Sequence, residues 1–198
     1  MEFISPVLWG DQGLREITRF CRLASEWSVN GSCGYHVHLD MTHELWRNLR
    51  SIAYAYLRTY PIWSQLVSSR RADNRMCGEA GYEYSELRMI QSYDDWCYFV
   101  GSRDRFEFVN WRAWFVHKTL EIRLHEGTLN ARTITNWIKV HDCFIDAVRT
   151  LELSDIDGIF KGDAAWTNFS TIIGSDLSDY YRGRAESYGY NLVRGILI

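Results

Sequence analysis

Prolines are scarce in this 198-residue sequence, at two, so a proline-rich linker is excluded. No uncharged apolar run approaches the roughly 18 residues that a membrane-spanning helix needs. The N-terminus lacks a basic stretch followed by a long apolar run, so no signal peptide is read there. Five cysteines, Cys21, Cys33, Cys77, Cys97 and Cys143, are odd in number and widely spaced. That spacing encodes neither a zinc knuckle nor a redox dithiol, and a reduced, cytoplasmic setting is the simplest expectation. There is no Walker-type glycine loop, no G-x-G-x-x-G and no nucleophile elbow, so any nucleotide or acyl chemistry needs another frame. Basic residues do not dominate either. With 22 Lys and Arg against 25 Asp and Glu the formal net charge is -3, which argues against a broad electrostatic grip on nucleic acid.

What is present is aromatic mass, with nine Trp and twelve Tyr, enough for both core and groove linings. An apolar share of 46% and a charged share of 24% fit a globular chain long enough for one domain with a small appendage. Phe3 to Leu8 reads as a short strand. Gln12 to Trp27 turns helical, with Leu14, Ile17, Cys21, Ala24 and Trp27 on one face. Thr42 is placed to cap a helix over about Glu44 to Tyr60, which Pro61 should end or kink. Ser68 to Tyr84 is polar and irregular and reads as a long loop, the candidate for a segment that closes over a site. Tyr84 to Gln91 suits a short helix, and Phe106 to Phe115 is β-like. Thr133 to Leu151 is a long amphipathic helix with Ile134, Trp137, Ile138, His141, Ile145 and Val148 buried. Ser175 to Tyr188 suits a surface helix. The expected division is a domain over 1–153 and a helical cap, or an extension of the same domain, over 154–198.

Two strands carry ionisable residues at alternating positions. Tyr35, Val37 and Leu39 point one way while His36, His38 and Asp40 point the other. Leu120, Ile122 and Leu124 alternate in the same manner with Glu121, Arg123 and His125. One such face alone is ordinary solvent-facing strand. Two, beside the Arg70, Arg71 and Arg75 loop and the Arg103 and Arg105 pair, point to a wet sheet face. There Glu and His could hold a cation and Arg an anion. The His-x-His spacing also fits zinc, although Cys33 lies off the strand.

Four segments together match a family pattern. They are Glu2–Leu8 (EFISPVL), Cys33–Asp40 (CGYHVHLD), Ser69–Asn74 (SRRADN) and Thr119–Asn130 (TLEIRLHEGTLN). The chain resembles the amidoligase family, a branch of the carboxylate–amine ligase fold shared by glutamine synthetase and glutamate–cysteine ligase, over about residues 2–150. The resemblance implies an α+β fold, a curved antiparallel sheet with helices on its convex face. It implies a concave face that binds ATP and Mg2+ or Mn2+. It also implies a reaction in which a carboxylate becomes an acyl phosphate and an amine then forms an amide. Carried over by position, Glu121, Arg123 and Arg70 would be catalytic. His36, Arg70, Asn74, Arg105, Asn110 and Arg123 would hold the nucleotide, and Glu2, His38 and Glu121 the metal. Substrates would be small-molecule or peptide carboxylates and amines.

Family members begin earlier, with a strand bearing a metal-binding Glu-x-Glu pair that would precede Met1 here. The expectation is therefore an N-terminally shortened domain. A second copy or a partner chain could supply that strand to an open sheet edge. Two functions are carried forward: an ATP- and magnesium-dependent ligase, and a catalytically reduced relative that binds a protein, a peptide or a nucleotide. A nucleic-acid role for the arginines and exposed aromatics is the weakest alternative.

Overall fold

A computed structural model describes residues 3–192. The fold is of mixed α and β class, with one small antiparallel sheet of three strands in the order β1–β3–β2. The strands are β1 Gly34–Asp40, β2 Val109–Asn110 and β3 Thr119–Glu126. Two long helices pack beside it, α2 Trp46–Trp63 and α7 Ala131–Val148, with α1 Gly10–Leu23 lying against α7. Shorter helices fill the connections: α3 Ser69–Ala72, α4 Tyr84–Met89, α5 Tyr93–Gly101 and α6 Arg112–His117. After α7 come α8 Leu153–Ile159, α9 Ala164–Ile173 and α10 Ser175–Ser187. Among the described residues no helix is long and apolar enough to cross a membrane.

The core lies between the apolar sheet face and the helices. Val37 and Val109 both pair with Ile122, so three strands present one apolar row. Against it stand Tyr56 and Trp63 of α2 and Trp137, Phe144 and Val148 of α7. Ile156, Phe160, Phe169 and Tyr181, all beyond residue 153, belong to the same buried cluster. Asn130 opens α7 by accepting from the Thr133 N–H at 3.0 Å, and the stripe from Ile134 to Val148 is buried much as its spacing predicts, although Ile138 is only half-buried.

Several local expectations need correction. Phe3 to Leu8 is not a strand: it runs as irregular chain with Phe3, Ile4 and Val7 exposed. The first helix starts at Gly10 and stops at Leu23, short of Trp27. Thr42 does not cap α2. Its hydroxyl donates to Asp40, and α2 begins beyond Leu45 without a side-chain cap. Pro61 does not end α2: the helix runs on through the next two residues, Ile62 and Trp63, both buried. Burial of those two side chains offsets an interior-proline penalty of about 3 kcal/mol. Of Phe106 to Phe115 only Val109–Asn110 pairs as strand; Arg112–His117 is helix, stopped by Lys118 at φ 56°. Residues 68–84 hold helix α3 and are not all loop, and α5 is a further helix that starts at a signal, Ser92 accepting from the Asp95 N–H.

Candidate functional site

The site is built on one row across the sheet. His38 of β1 stands opposite Glu121 of β3, and Asn110 of β2 stands opposite Glu121 on its other side. Directly paired residues share a face, so all three side chains meet on the side away from Val37 and Ile122. His36 and Arg123 join them from neighbouring positions. Glu121 is buried, at 6% exposure. Its Oε1 accepts from Arg123 Nη1 at 2.6 Å, with His36 Nδ1 at 3.1 Å and His38 Nε2 at 3.8 Å. Its Oε2 accepts from the Asn110 amide. Burial pushes the Glu121 pKa up. The hydrogen bonds from His36 and Asn110 and the charges of Arg123 and His38 outweigh that and hold it down at about 2. His38 Nδ1 lies 2.9 Å from Thr119 Oγ1, which fixes its ring with Nε2 toward Glu121. Burial is the main cause that lowers the His38 pKa; Glu121 opposes it, while His117, His36 and Arg123 reinforce it.

Arg123 reaches beyond Glu121, its Nε donating to the Met76 carbonyl at 3.3 Å. Two guanidinium groups lie over the Phe106 ring, Arg123 at 5.9 Å and Arg105 at 4.8 Å from its centre. Arg105 thus sits at the rim and not on the central row. Arg70 is exposed, its guanidinium lying over Gly31 in the turn before β1. The Asn74 side chain closes its own turn by accepting from the Met76 N–H at 2.8 Å. Glu2 lies outside the described residues.

His125 does not share this face. Between Tyr35 and Val37 on β1, which pair with His125 and Ile122, β3 carries an extra residue. That bulge reverses the alternation. His125 therefore packs with Tyr35 on the helix side, 1% exposed, its ring 4.8 Å from that of Trp137. Burial brings its pKa down to about 4, against the pull of Glu126 and with the help of Arg184 and Arg71. Arg71, expected with Arg70 and Arg75 in a loop facing an anion, is turned instead to the sheet backbone. It is buried and donates to two β3 carbonyls, Leu124 at 3.1 Å and Arg123 at 2.6 Å.

A family model described as "Putative amidoligase enzyme" matches residues 1–145. The chain belongs to the amidoligase family. No curated protein and no solved structure matches it. In this amidoligase-family chain the match covers all three strands and every residue of the polar row, and it ends within α7. Helices α8 to α10 lie beyond it.

A divalent metal on this face would need oxygen donors, several of them carboxylates. The described residues do not fit that demand. Both oxygens of Glu121 already accept hydrogen bonds, and Arg123 holds a positive charge 2.6 Å from the oxygen nearest the histidines. Among the described residues no group of three or more His, Cys, Asp or Glu is arranged to hold a metal ion.

Proposed function

We propose that this chain is a catalytically reduced amidoligase-family protein whose polar sheet face binds a nucleotide through its phosphates. The observation that supports this reading is the state of Glu121. Its carboxylate is neutralised and hydrogen-bonded by Arg123, Asn110 and His36, so the face offers donors and not a vacant acid. Arg123 anchors the row, His36 and His38 are partly open beside it, Arg105 meets the same Phe106 ring as Arg123, and Arg70 lies over the turn before β1. Such a set suits phosphate oxygens, where arginine gives directional, charge-assisted contacts. The polar face would be the concave side of a glutamine-synthetase-like sheet. β1 is one of its two edge strands among the described residues, where a second copy or a partner chain would add another.

Calorimetry with ATP, with and without magnesium, tests this. ATP should bind in either condition, weaken about tenfold or more in Arg123→Ala, and yield no ADP when amino acids or short peptides are supplied. Family membership favours a second reading, the ATP- and magnesium-dependent carboxylate–amine ligase. In it the substrate carboxylate attacks the γ-phosphorus, ADP leaves, and an amine displaces phosphate from the acyl phosphate to give the amide. Magnesium-dependent release of ADP and phosphate with formation of an amide, abolished in Glu121→Gln, would establish that reading and overturn ours.

A further inference from the structure

The bulge in β3 carries a consequence for the loop beside it. Where β3 has its extra residue, ladder pairing with β1 is interrupted, and carbonyls in such a stretch need other donors. Arg71 supplies them. Its Nε donates to the Leu124 carbonyl at 3.1 Å and its Nη2 to the Arg123 carbonyl at 2.6 Å. In the opposite direction, Arg123 Nε donates to the Met76 carbonyl at 3.3 Å. A loop arginine therefore holds the strand backbone while a strand arginine holds the loop backbone. Gly34 makes room for the first contact: a Cβ there would lie 2.7 Å from Arg71 Nη2 and 3.0 Å from His36 Nε2. A flexible arginine tip could ordinarily move aside, but this one is tied at two carbonyls. The 68–77 segment is thus fastened to the sheet at both ends of the contact, which is not the arrangement of an open lid.

We infer that Arg71 is a positioning residue: it sets the backbone of Arg123, and so the place of the Arg123 guanidinium between Glu121 and Met76, for binding the ligand phosphates. This rests on the nucleotide-binding reading above. Lysine cannot replace it, since one ammonium does not reproduce a planar fork reaching two carbonyls.

The experiment combines nitrogen-15 NMR of arginine side chains, without ligand, with ATP calorimetry. The Arg123 Nε–H signal is assigned by its loss in Arg123→Lys. Arg71→Lys and Gly34→Ala are then compared with the unaltered chain well below their melting temperatures, with circular dichroism to verify folding. Both variants should shift that signal, speed its hydrogen exchange by about tenfold or more, and weaken ATP binding by about tenfold. A role in stability alone would lower the melting temperature and leave the Arg123 signal and its exchange in place. That result in both variants overturns the inference. If Arg71→Lys fails to fold, Gly34→Ala decides, because it disturbs the same contact without removing Arg71. An unaltered chain that ignores ATP overturns the nucleotide reading instead, and the ligand-free Arg123 signal then decides whether Arg71 holds Arg123 in place.

Discussion

Glu107 gives the sharpest test of the electrostatics, and it concerns a carboxyl outside the polar row. The side chain is 6% exposed and its Oε2 has no hydrogen-bond partner. Burial raises its pKa to about 7; the Gly81 N–H and the Arg103 guanidinium oppose that, and the Asp104 charge adds to it. In the unfolded chain the same group titrates near 4.5. Between those values the folded protein holds a proton that the unfolded chain has lost. Stability from the neutral carboxyl is therefore complete below about 4.5 and is lost as pH rises toward about 7. From pH 5 to pH 7.5 the loss is about 2 kcal/mol, or roughly 4–8 °C in melting temperature for a chain of this length. Glu107→Gln keeps the shape and removes the titration. The melting temperature of the variant minus that of the parent should therefore climb by that amount across the interval. Other titrating groups are common to both proteins and cancel. Parallel melting profiles from pH 5 to 7.5 would refute a buried, protonated Glu107.

On the acid side the sign reverses. His125, with its pKa down at about 4, stays neutral when folded while the unfolded chain takes up a proton near 6.5, so stability falls as pH drops through that window. His125→Gln should flatten the decline seen by thermal melting between pH 6.5 and 4. Phe169→Ala, at a fully buried position in α9, should cost about 3–5 kcal/mol in denaturant unfolding. One transition, not two, is expected, because Phe169 packs against Trp63 of α2 with ring centres 4.9 Å apart. Asp157→Ala removes the acceptor shared by Tyr54, whose hydroxyl lies at 2.9 Å, and Arg88 at 2.7 Å. Denaturant titration should show a loss of about 1 kcal/mol, and no loss at all would mean that solvent already screens the pair.

Some of this architecture can be read directly from the sequence, and the limit is physical. β1 and β3 show themselves because alternate residues must face opposite media, and a period of two survives in the sequence whatever packs nearby. The long helix α7 shows itself for the matching reason at a period of 3.6. The bulge leaves no such trace. An extra residue in β3 changes the face of His125 without changing its spacing from Glu121 and Arg123, so simple alternation misplaces it. Pro61 is misread for a similar reason: local preference argues for a helix end, whereas burial of Ile62 and Trp63 is a tertiary effect. Phe3 to Leu8 looks like a strand because it is short and apolar, yet a strand requires a partner.

The polar row itself shows why residue type identifies a family more readily than it identifies a role. Glu121 and His38 are residues expected of a metal centre and His36 of a nucleotide site, and their positions on β1 and β3 follow from the two alternating patterns. What changes their chemistry is the reach of Arg123 back to Glu121 and of Asn110 across from β2. A carboxylate whose oxygens already accept from a guanidinium, an amide and an imidazole has a low pKa and little remaining capacity as a ligand. Withdrawing Arg123 would leave Glu121 buried with its charge opposed only by histidines, which is the condition in which a cation becomes a competitive partner. Arg123→Ala therefore does more than remove a phosphate contact. It should raise affinity for Mn2+ relative to the unaltered chain, and an unchanged, negligible Mn2+ affinity by calorimetry would show that Arg123 is not what keeps cations from Glu121.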